Sequence, residues 1–356
     1  MPSRVSLLVT VGLLALFAIA TRPVAAQVSS ASAATVVPAP GATEPESPKW
    51  RYFRTGNTSD STAKPRPGFA LMGGGARQDA AFHFLCERSN QGDFLILRAD
   101  TEDDYAKQVN EEIKALCPLN SVATIVFASR EDSDDQKLIE IIEHAQTIFI
   151  AGGDQSNYVR FWQDTLVQDA LNRHIAAGKP LGGSSAGLAI LGEFSFSSMI
   201  DTIHSPEALT DPYGNKVTLS RDFLHIPQLA GTITDTHFVK RDRMGRLVVF
   251  LARILEDGWT DRVRAIAVEE NAAVLLAADG SAKVVGDGPA YFLQASRAPA
   301  MCHAKTPLRM AGISVHRTPA GGTFNLETWM GTVGDDYQVA AANGELTTSG
   351  STHGVY

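Results

Sequence analysis

Lys179-Pro180-Leu181-Gly182-Gly183-Ser184-Ser185-Ala186-Gly187-Leu188-Ala189-Ile190-Leu191 runs from a short strand signal through a turn of small residues into an apolar stretch. Ser185 stands in a G-x-S-x-G frame between Gly183 and Gly187, whereas Ser184 has Gly182 two residues before it but Ala186 two residues after. A serine on a sharp strand-to-helix turn needs small neighbours, because the backbone there is strained and packs against the sheet. Ser185 is therefore the candidate nucleophile. The following helix would aim its N-terminal N–H groups, that of Ala186 among them, at a developing oxyanion. The bland alternative is a Gly/Ser-rich turn without chemistry, and the pentapeptide alone does not separate the two.

The same alternation continues on both sides of this stretch. Residues 69–72, 94–97, 122–128 and 147–151 read as strands buried on both faces, with helical patterns over 76–88, 104–116, 135–144 and 164–177. This predicts an α/β fold with a mostly parallel sheet and helices on both faces. Beyond about Asp261 the rhythm changes to short strands at 265–268, 272–277, 282–285 and 290–293, separated by Asp279-Gly280 and Gly286-Asp287-Gly288. Such turns predict a β-rich, antiparallel C-terminal extension. No linker intervenes, so residues 68–260 are read as the catalytic core and 261–356 as the β-rich part of the same unit.

Two further clusters bear on chemistry. Ala151-Gly152-Gly153-Asp154-Gln155 ends an apolar strand, where open parallel sheets place their ligands. Its glycines let backbone amides approach a carbonyl, and Gln155 can hydrogen-bond an amide; a plain strand-ending turn is the simpler reading. Asp235-Thr236-His237-Phe238 precedes Arg241, Arg243 and Arg246, between a β-like run at 231–234 and an apolar helix at 247–254. An imidazole at a strand end suits a general base. Clustered arginines suit bidentate binding of carboxylates, although solvated arginines on a surface helix are the default for such residues alone.

Taken in order, Gly-Gly-Asp-Gln, G-S-S-A-G and D-T-H-F-x-x-R-x-R-x-G-R-L resemble the cyanophycinase-like serine peptidases, relatives of the α-aspartyl dipeptidases. The likeness runs from about Gly68, where Leu-Met-Gly-Gly-Gly matches the family's first strand and turn, to at least Leu293. The resemblance implies a class I glutamine amidotransferase-like sheet, Ser185 as nucleophile, His237 as base, and the amides of Gly153 and Ala186 as the oxyanion hole. It also puts Gln155, Ser184, Asp235, Thr236, Arg241, Arg243 and Arg246 on substrate-binding positions. The third triad member is expected between the serine and the histidine, among Glu193, Asp201, Glu207, Asp211 and Asp222. Glu207 lies closest to the family's spacing and Asp211 second. Thr236 stands where glutamine is usual, Ser184 where threonine is usual, and 52 residues separate Ser185 from His237.

The resemblance implies a serine exopeptidase that cleaves β-aspartyl bonds, with cyanophycin as substrate and β-Asp-Arg dipeptides as products. Its rivals are an aspartyl or isoaspartyl dipeptidase, an esterase, and a catalytically silent secreted binding protein. An esterase is disfavoured because no His-Gly-Gly-Gly-like segment precedes the elbow. No cofactor is implied, and the nine histidines lack H-x-x-x-H ligand spacing, so no metal is expected. The partner is a peptide or a cyanophycin-like polymer, with a homodimer left open.

Composition narrows the context. The 356 residues carry 31 Lys+Arg against 39 Asp+Glu, a net charge of −8, with 44% hydrophobic and 20% charged residues. That is a folded globular composition, and its acidity without basic runs argues against nucleic acid as a partner. Residues 1–26 hold Arg4 and Arg22, no acid, and an apolar stretch over 7–20 before Val24-Ala25-Ala26. This reads as a cleavable signal peptide, since the apolar stretch falls short of the roughly 20 residues a membrane-spanning helix needs. Losing its two arginines takes −8 to −10, and a secreted or periplasmic protein without a membrane span is expected. Residues 27–67 are expected to be a flexible Ser/Ala/Pro-rich tether and extended segment. Of Cys86, Cys117 and Cys302, the first two are the favoured disulfide, because each lies near the end of a predicted helix in the same half of the chain.

Overall fold

The computed structural model describes residues 50–99, 105–351 and 354–356. The expected signal peptide and the first part of the expected tether lie outside these residues. The first half of the chain contributes strands β1 (Trp50–Gly56), β2 (Gly68–Met72), β3 (Asp93–Ala99), β4 (Ser121–Phe127), β5 (Thr147–Ile150) and β6 (Leu181–Ser184). Between them lie helices α1 (Asp79–Ser89), α2 (Ala106–Leu116), α3 (Gln136–His144), α4 (Gln155–Trp162) and α5 (Leu166–Ala176), and after β6 a single turn, α6 (Ala186–Ala189). Then come β7 (Phe194–Phe196), α7 (Ser205–Thr210), β8 (Leu219–Arg221), β9 (Thr232–Asp235), α8 (Met244–Glu256) and β10 (Val263–Val268). The remainder is β11 (Ala272–Ala277), β12 (Ser281–Gly286), β13 (Ala290–Ala295), β14 (Met310–Thr318), β15 (Thr323–Asn325), β16 (Met330–Gly331), β17 (Asp335–Ala342) and β18 (Glu345–Ser349).

These strands form two sheets, one ordered β1-β4-β3-β5-β6-β2-β11-β12-β15-β16 and the other β18-β17-β14-β13-β10-β9-β7-β8. Strands β4, β3, β5, β6 and β2 run parallel. Their alternate residues serve two cores: Leu71, Leu95, Leu97, Ile125 and Ile150 pack with α3, α4 and α5, while Ala70, Met72, Phe94, Ile96 and Val122 pack with α1 and α2. Helices on both faces explain why these strands carry buried apolar residues on both of their faces. Within the second core Phe82 lies 4.8 Å from Phe149 and 6.1 Å from Phe94 between ring centroids. Truncating any one of these buried rings to alanine costs about 3–5 kcal/mol.

The C-terminal part is not an appendage to one sheet. Strand β11 pairs antiparallel with β2, and β12, β15 and β16 continue the first sheet from it, whereas β10, β13, β14, β17 and β18 build most of the second. Strand β10 also divides its side chains between cores, Ile266 and Val268 facing the first and Ala265 and Ala267 the one around α8. Ordered structure also begins earlier than the composition suggested. Strand β1, inside the expected tether, pairs residue for residue with β4 from Trp50↔Phe127 to Gly56↔Ser121, and the Trp50 Nε1–H donates to Asp135. Cys86 and Cys117 form a disulfide between α1 and the end of α2, with Cα atoms 6.2 Å apart; Cys302 is free and buried. Among the described residues no helix is long and apolar enough to cross a membrane.

Candidate active site

Two pairs of parallel strands end at the same place. Ser184 is in register with Met72 across β6 and β2, and Asp235 with Ala267 across β9 and β10. The residues just beyond these ends, Gly73-Gly74-Gly75, Ser185, His237 and Glu270, therefore converge where the two sheets meet. Ser185 has φ 52° and ψ −115°, its N–H donates to the Met72 carbonyl at 3.0 Å, and its own carbonyl accepts from Ala189 N–H, starting α6. A left-handed φ at a non-glycine residue stores strain, and here it turns the hydroxyl out of the sheet. Both flanking glycines are required: a Cβ on Gly183 would lie 2.5 Å from the Gly187 carbonyl oxygen, and one on Gly187 2.1 Å from that of Ile150.

Ser185 Oγ lies 2.7 Å from His237 Nε2, and His237 Nδ1 lies 2.6 Å from Glu270 Oε1. An ionised carboxylate can only accept, so Nδ1 carries the imidazole proton and Nε2 is free to accept from the serine hydroxyl. His237 also has a left-handed backbone, φ 46°, and its N–H donates to the Gly73 carbonyl at 2.9 Å. Gly74 gives the ring its space: a Cβ there would stand 2.3 Å from His237 Cε1. Burial pushes the imidazole pKa below its ordinary value, the Glu270 hydrogen bond opposes this, and Arg241 and Arg243 reinforce it. The hydrogen bond from His237 holds the Glu270 carboxyl below its ordinary range.

Glu207 does not contact His237. It is exposed on α7 and pairs with Lys216 at 3.5 Å, while Asp211 accepts from the Tyr213 and Lys305 amides. The expectation of an acid between serine and histidine is thus corrected: the carboxylate on the imidazole comes from Glu270, after the histidine in the chain. Glu269-Glu270-Asn271 at the end of an apolar strand was the available signal, but it becomes meaningful only once β10 is known to lie parallel beside β9.

The basic cluster is corrected as well. Asp235 receives the Arg246 guanidinium on both oxygens, through Nε at 2.9 Å and through Nη2, and Arg243 Nη1 donates to the Thr236 carbonyl at 2.8 Å and hydroxyl at 2.9 Å. Asp235, Thr236, Arg243 and Arg246 are all buried, and Phe196 and Phe250 lie against the Arg246 guanidinium. These four residues hold one another beneath the His237 loop, where two like charges cannot be left open without a partner acid. Desolvation pushes Arg243 down to about 10. Arg241 alone of the three is exposed, with Nε 4.0 Å from Glu270 Oε1.

The Gly-Gly-Asp-Gln segment runs alongside the serine, a Cβ on Gly152 falling 3.5 Å from Ser185 Cβ. Asp154 caps α4 through a 2.9 Å hydrogen bond from the Ser156 amide, so the segment is both a strand end and a helix start. Gln155 is the first residue of α4, and its Nε2 reaches the Phe196 carbonyl at 3.4 Å. Ser184, half-buried, ends β6 next to Ser185, and Ala186 is the first residue of α6.

Residues 73–210 match peptidase family S51, a span that includes the glycine turn and Ser185 and stops before His237. The chain is 25% identical over 252 residues to the cyanophycinase of Synechococcus elongatus, covering 68% of this chain and 73% of that one. It is 27% identical over 213 residues to the cyanophycinase of Trichormus variabilis, covering 58% and 65%. A peptidase crystal structure from an acI-B1 actinobacterium superposes with TM-score 0.50 at 15% identity over 73% of this chain and 97% of that one, a likeness of fold. Over most of its described length the chain is similar to cyanophycinase-like S51 peptidases, and a serine, a histidine and a glutamate are joined at the meeting of its sheets.

Proposed function

We propose that this peptidase is a secreted serine exopeptidase that hydrolyses β-aspartyl bonds through an acyl-enzyme, with cyanophycin as substrate. The observation that carries the serine mechanism is the unbroken hydrogen-bond chain Ser185 Oγ–His237 Nε2, His237 Nδ1–Glu270 Oε1. Ser185 Oγ attacks the amide carbonyl as its proton passes to His237 Nε2, and the carbonyl π electrons move onto oxygen. The amides of Gly153 and Ala186 receive that oxyanion. Collapse of the intermediate breaks the C–N bond, and His237 delivers its proton to the leaving amine. Water then repeats the sequence on the acyl ester, giving up its proton to His237 and freeing Ser185. Glu270 keeps the Nδ1–H tautomer and stabilises the imidazolium without itself taking the proton.

Cyanophycin fits this reading because its arginines are joined through their α-amines and keep a free carboxylate, which the exposed Arg241 can bind. Secretion is supported by the basic, then apolar, N-terminal residues and by the Cys86–Cys117 disulfide, since such bonds persist in oxidising compartments. In the test, the purified protein is incubated with insoluble cyanophycin and, in parallel, with small Asp-X and β-Asp-X dipeptides. Release of β-Asp-Arg from the polymer is expected; turnover of the dipeptides without polymer degradation assigns a dipeptidase instead.

The reading also fixes a pH dependence. His237 acts as a base only when neutral, so kcat/KM falls as acidification protonates it. Because burial lowers its pKa, the acid limb has its midpoint below the ordinary histidine value. A pH–rate profile on a soluble substrate checks this, and a midpoint at or above the ordinary value contradicts it.

A further inference from the structure

The residues flanking Glu270 are themselves committed to the site. After His237 the chain makes a helical turn, with the Arg241 amide bonded to the His237 carbonyl at 3.0 Å and the Arg243 amide to that of Phe238 at 2.9 Å. The first amides of such a turn have no partner within it. The Glu269 carboxylate supplies one, accepting from Val239 N–H and from Lys240 N–H at 3.1 and 3.2 Å. On the other side, the Asn271 side-chain oxygen accepts from Ala76 N–H at 2.7 Å and its own N–H donates to the Gly74 carbonyl at 2.9 Å. Three consecutive residues thus hold three parts of one site: the loop after the histidine, the imidazole, and the glycine turn against which the imidazole packs.

We propose that Glu269 is a positioning residue, acting through the Val239 and Lys240 amides to hold His237 in line between Ser185 and Glu270. This rests on the reading of Ser185, His237 and Glu270 as the catalytic unit. The loop needs such an anchor because His237 has a left-handed backbone, φ 46°, and Asp242 at the far end of the turn has another, φ 47°. The far end is tied separately, by the Tyr356 hydroxyl, which donates to Asp242 at 2.7 Å and accepts from Met244 N–H at 3.0 Å. The near end, which carries the imidazole, is tied by Glu269 on one side, by the His237 N–H bond to the Gly73 carbonyl, and one residue earlier by Arg243 on Thr236.

The test uses a fluorophosphonate, which reacts at an activated serine, and resolves its maximal labelling rate from its half-saturating concentration. Labelling of the wild type that Ser185→Ala abolishes establishes the catalytic unit; its absence defeats that reading whatever Glu269 does. Given labelling, Glu269→Ala is expected to lower the maximal rate about 100-fold, the scale of an ångström-sized misplacement, with little change in half-saturation. Glu269→Gln keeps one acceptor oxygen without the charge and is expected to lose only about three- to tenfold. The low-field proton resonance of His237 Nδ1–H is expected to shift or broaden in the alanine variant and to remain in the glutamine variant. If the alanine variant does not fold, the glutamine variant alone decides. A wild-type rate in either variant, or equal loss in both, overturns the proposal.

Discussion

Replacing Ser185 with alanine is expected to lower peptide hydrolysis by about 10⁴-fold or more, the loss seen when the nucleophile of a serine–histidine unit is removed. That loss corresponds to about 5.5 kcal/mol of transition-state stabilisation at 1.36 kcal/mol per factor of ten. The fold is expected to survive it, because Ser185 Oγ bonds only His237 among the described contacts and the elbow is held by backbone bonds to Met72 and Ala189. Ser185→Gly is expected to be equally inactive and more stable than Ser185→Ala, since glycine adopts φ 52° without the penalty a Cβ imposes. Substrate turnover and thermal melting of the two variants check both statements, and an active Ser185→Ala enzyme contradicts the proposed mechanism.

The second large effect distinguishes two carboxylates. Glu270→Gln is expected to reduce kcat roughly 10³- to 10⁴-fold. Its amide can turn an N–H toward His237 Nδ1 and favour the tautomer whose Nε2 carries the proton. Such an imidazole cannot accept from Ser185 Oγ, although the geometry is otherwise kept. Glu207→Gln is expected to change kcat by less than about twofold, because it loses only an exposed pairing with Lys216. Steady-state kinetics of the two variants side by side make the comparison, and the opposite ranking would restore the acid expected between serine and histidine.

That contrast shows where sequence reading succeeds and where it stops. The elbow was legible because its demands are local: the glycines on either side of Ser185 are dictated by contacts with Gly187 and Ile150. The parallel strands were legible for a related reason, since burial on both faces leaves continuous apolar runs such as Phe94-Leu95-Ile96-Leu97. Glu270 was not, because nothing near it in the chain records that β10 lies beside β9. The arginines misled in the opposite direction. Three cations within six residues suggest an open anion site, yet Asp235, eight residues before Arg243, lies against two of them inside the fold. Helix α4 was missed because the turn chemistry of Gly152-Gly153-Asp154 hid a helix cap.

The course of the chain through the two sheets has a consequence in time. Glu270 sits between β10 of one sheet and β11 of the other, and β11 is the strand that pairs with β2. A growing chain that already contains Ser185 and His237 lacks the carboxylate that orients them, the Glu269 anchor, and the strand that closes against β2. Pairings between residues about 200 positions apart, such as Met72↔Ala273, also form slowly, because long loops must close before they are rewarded. On the proposed serine mechanism, hydrolytic competence is thus a late event in the life of each molecule, and a peptidase assembled in this order is inert while its own unfolded chain is still the nearest peptide to its serine.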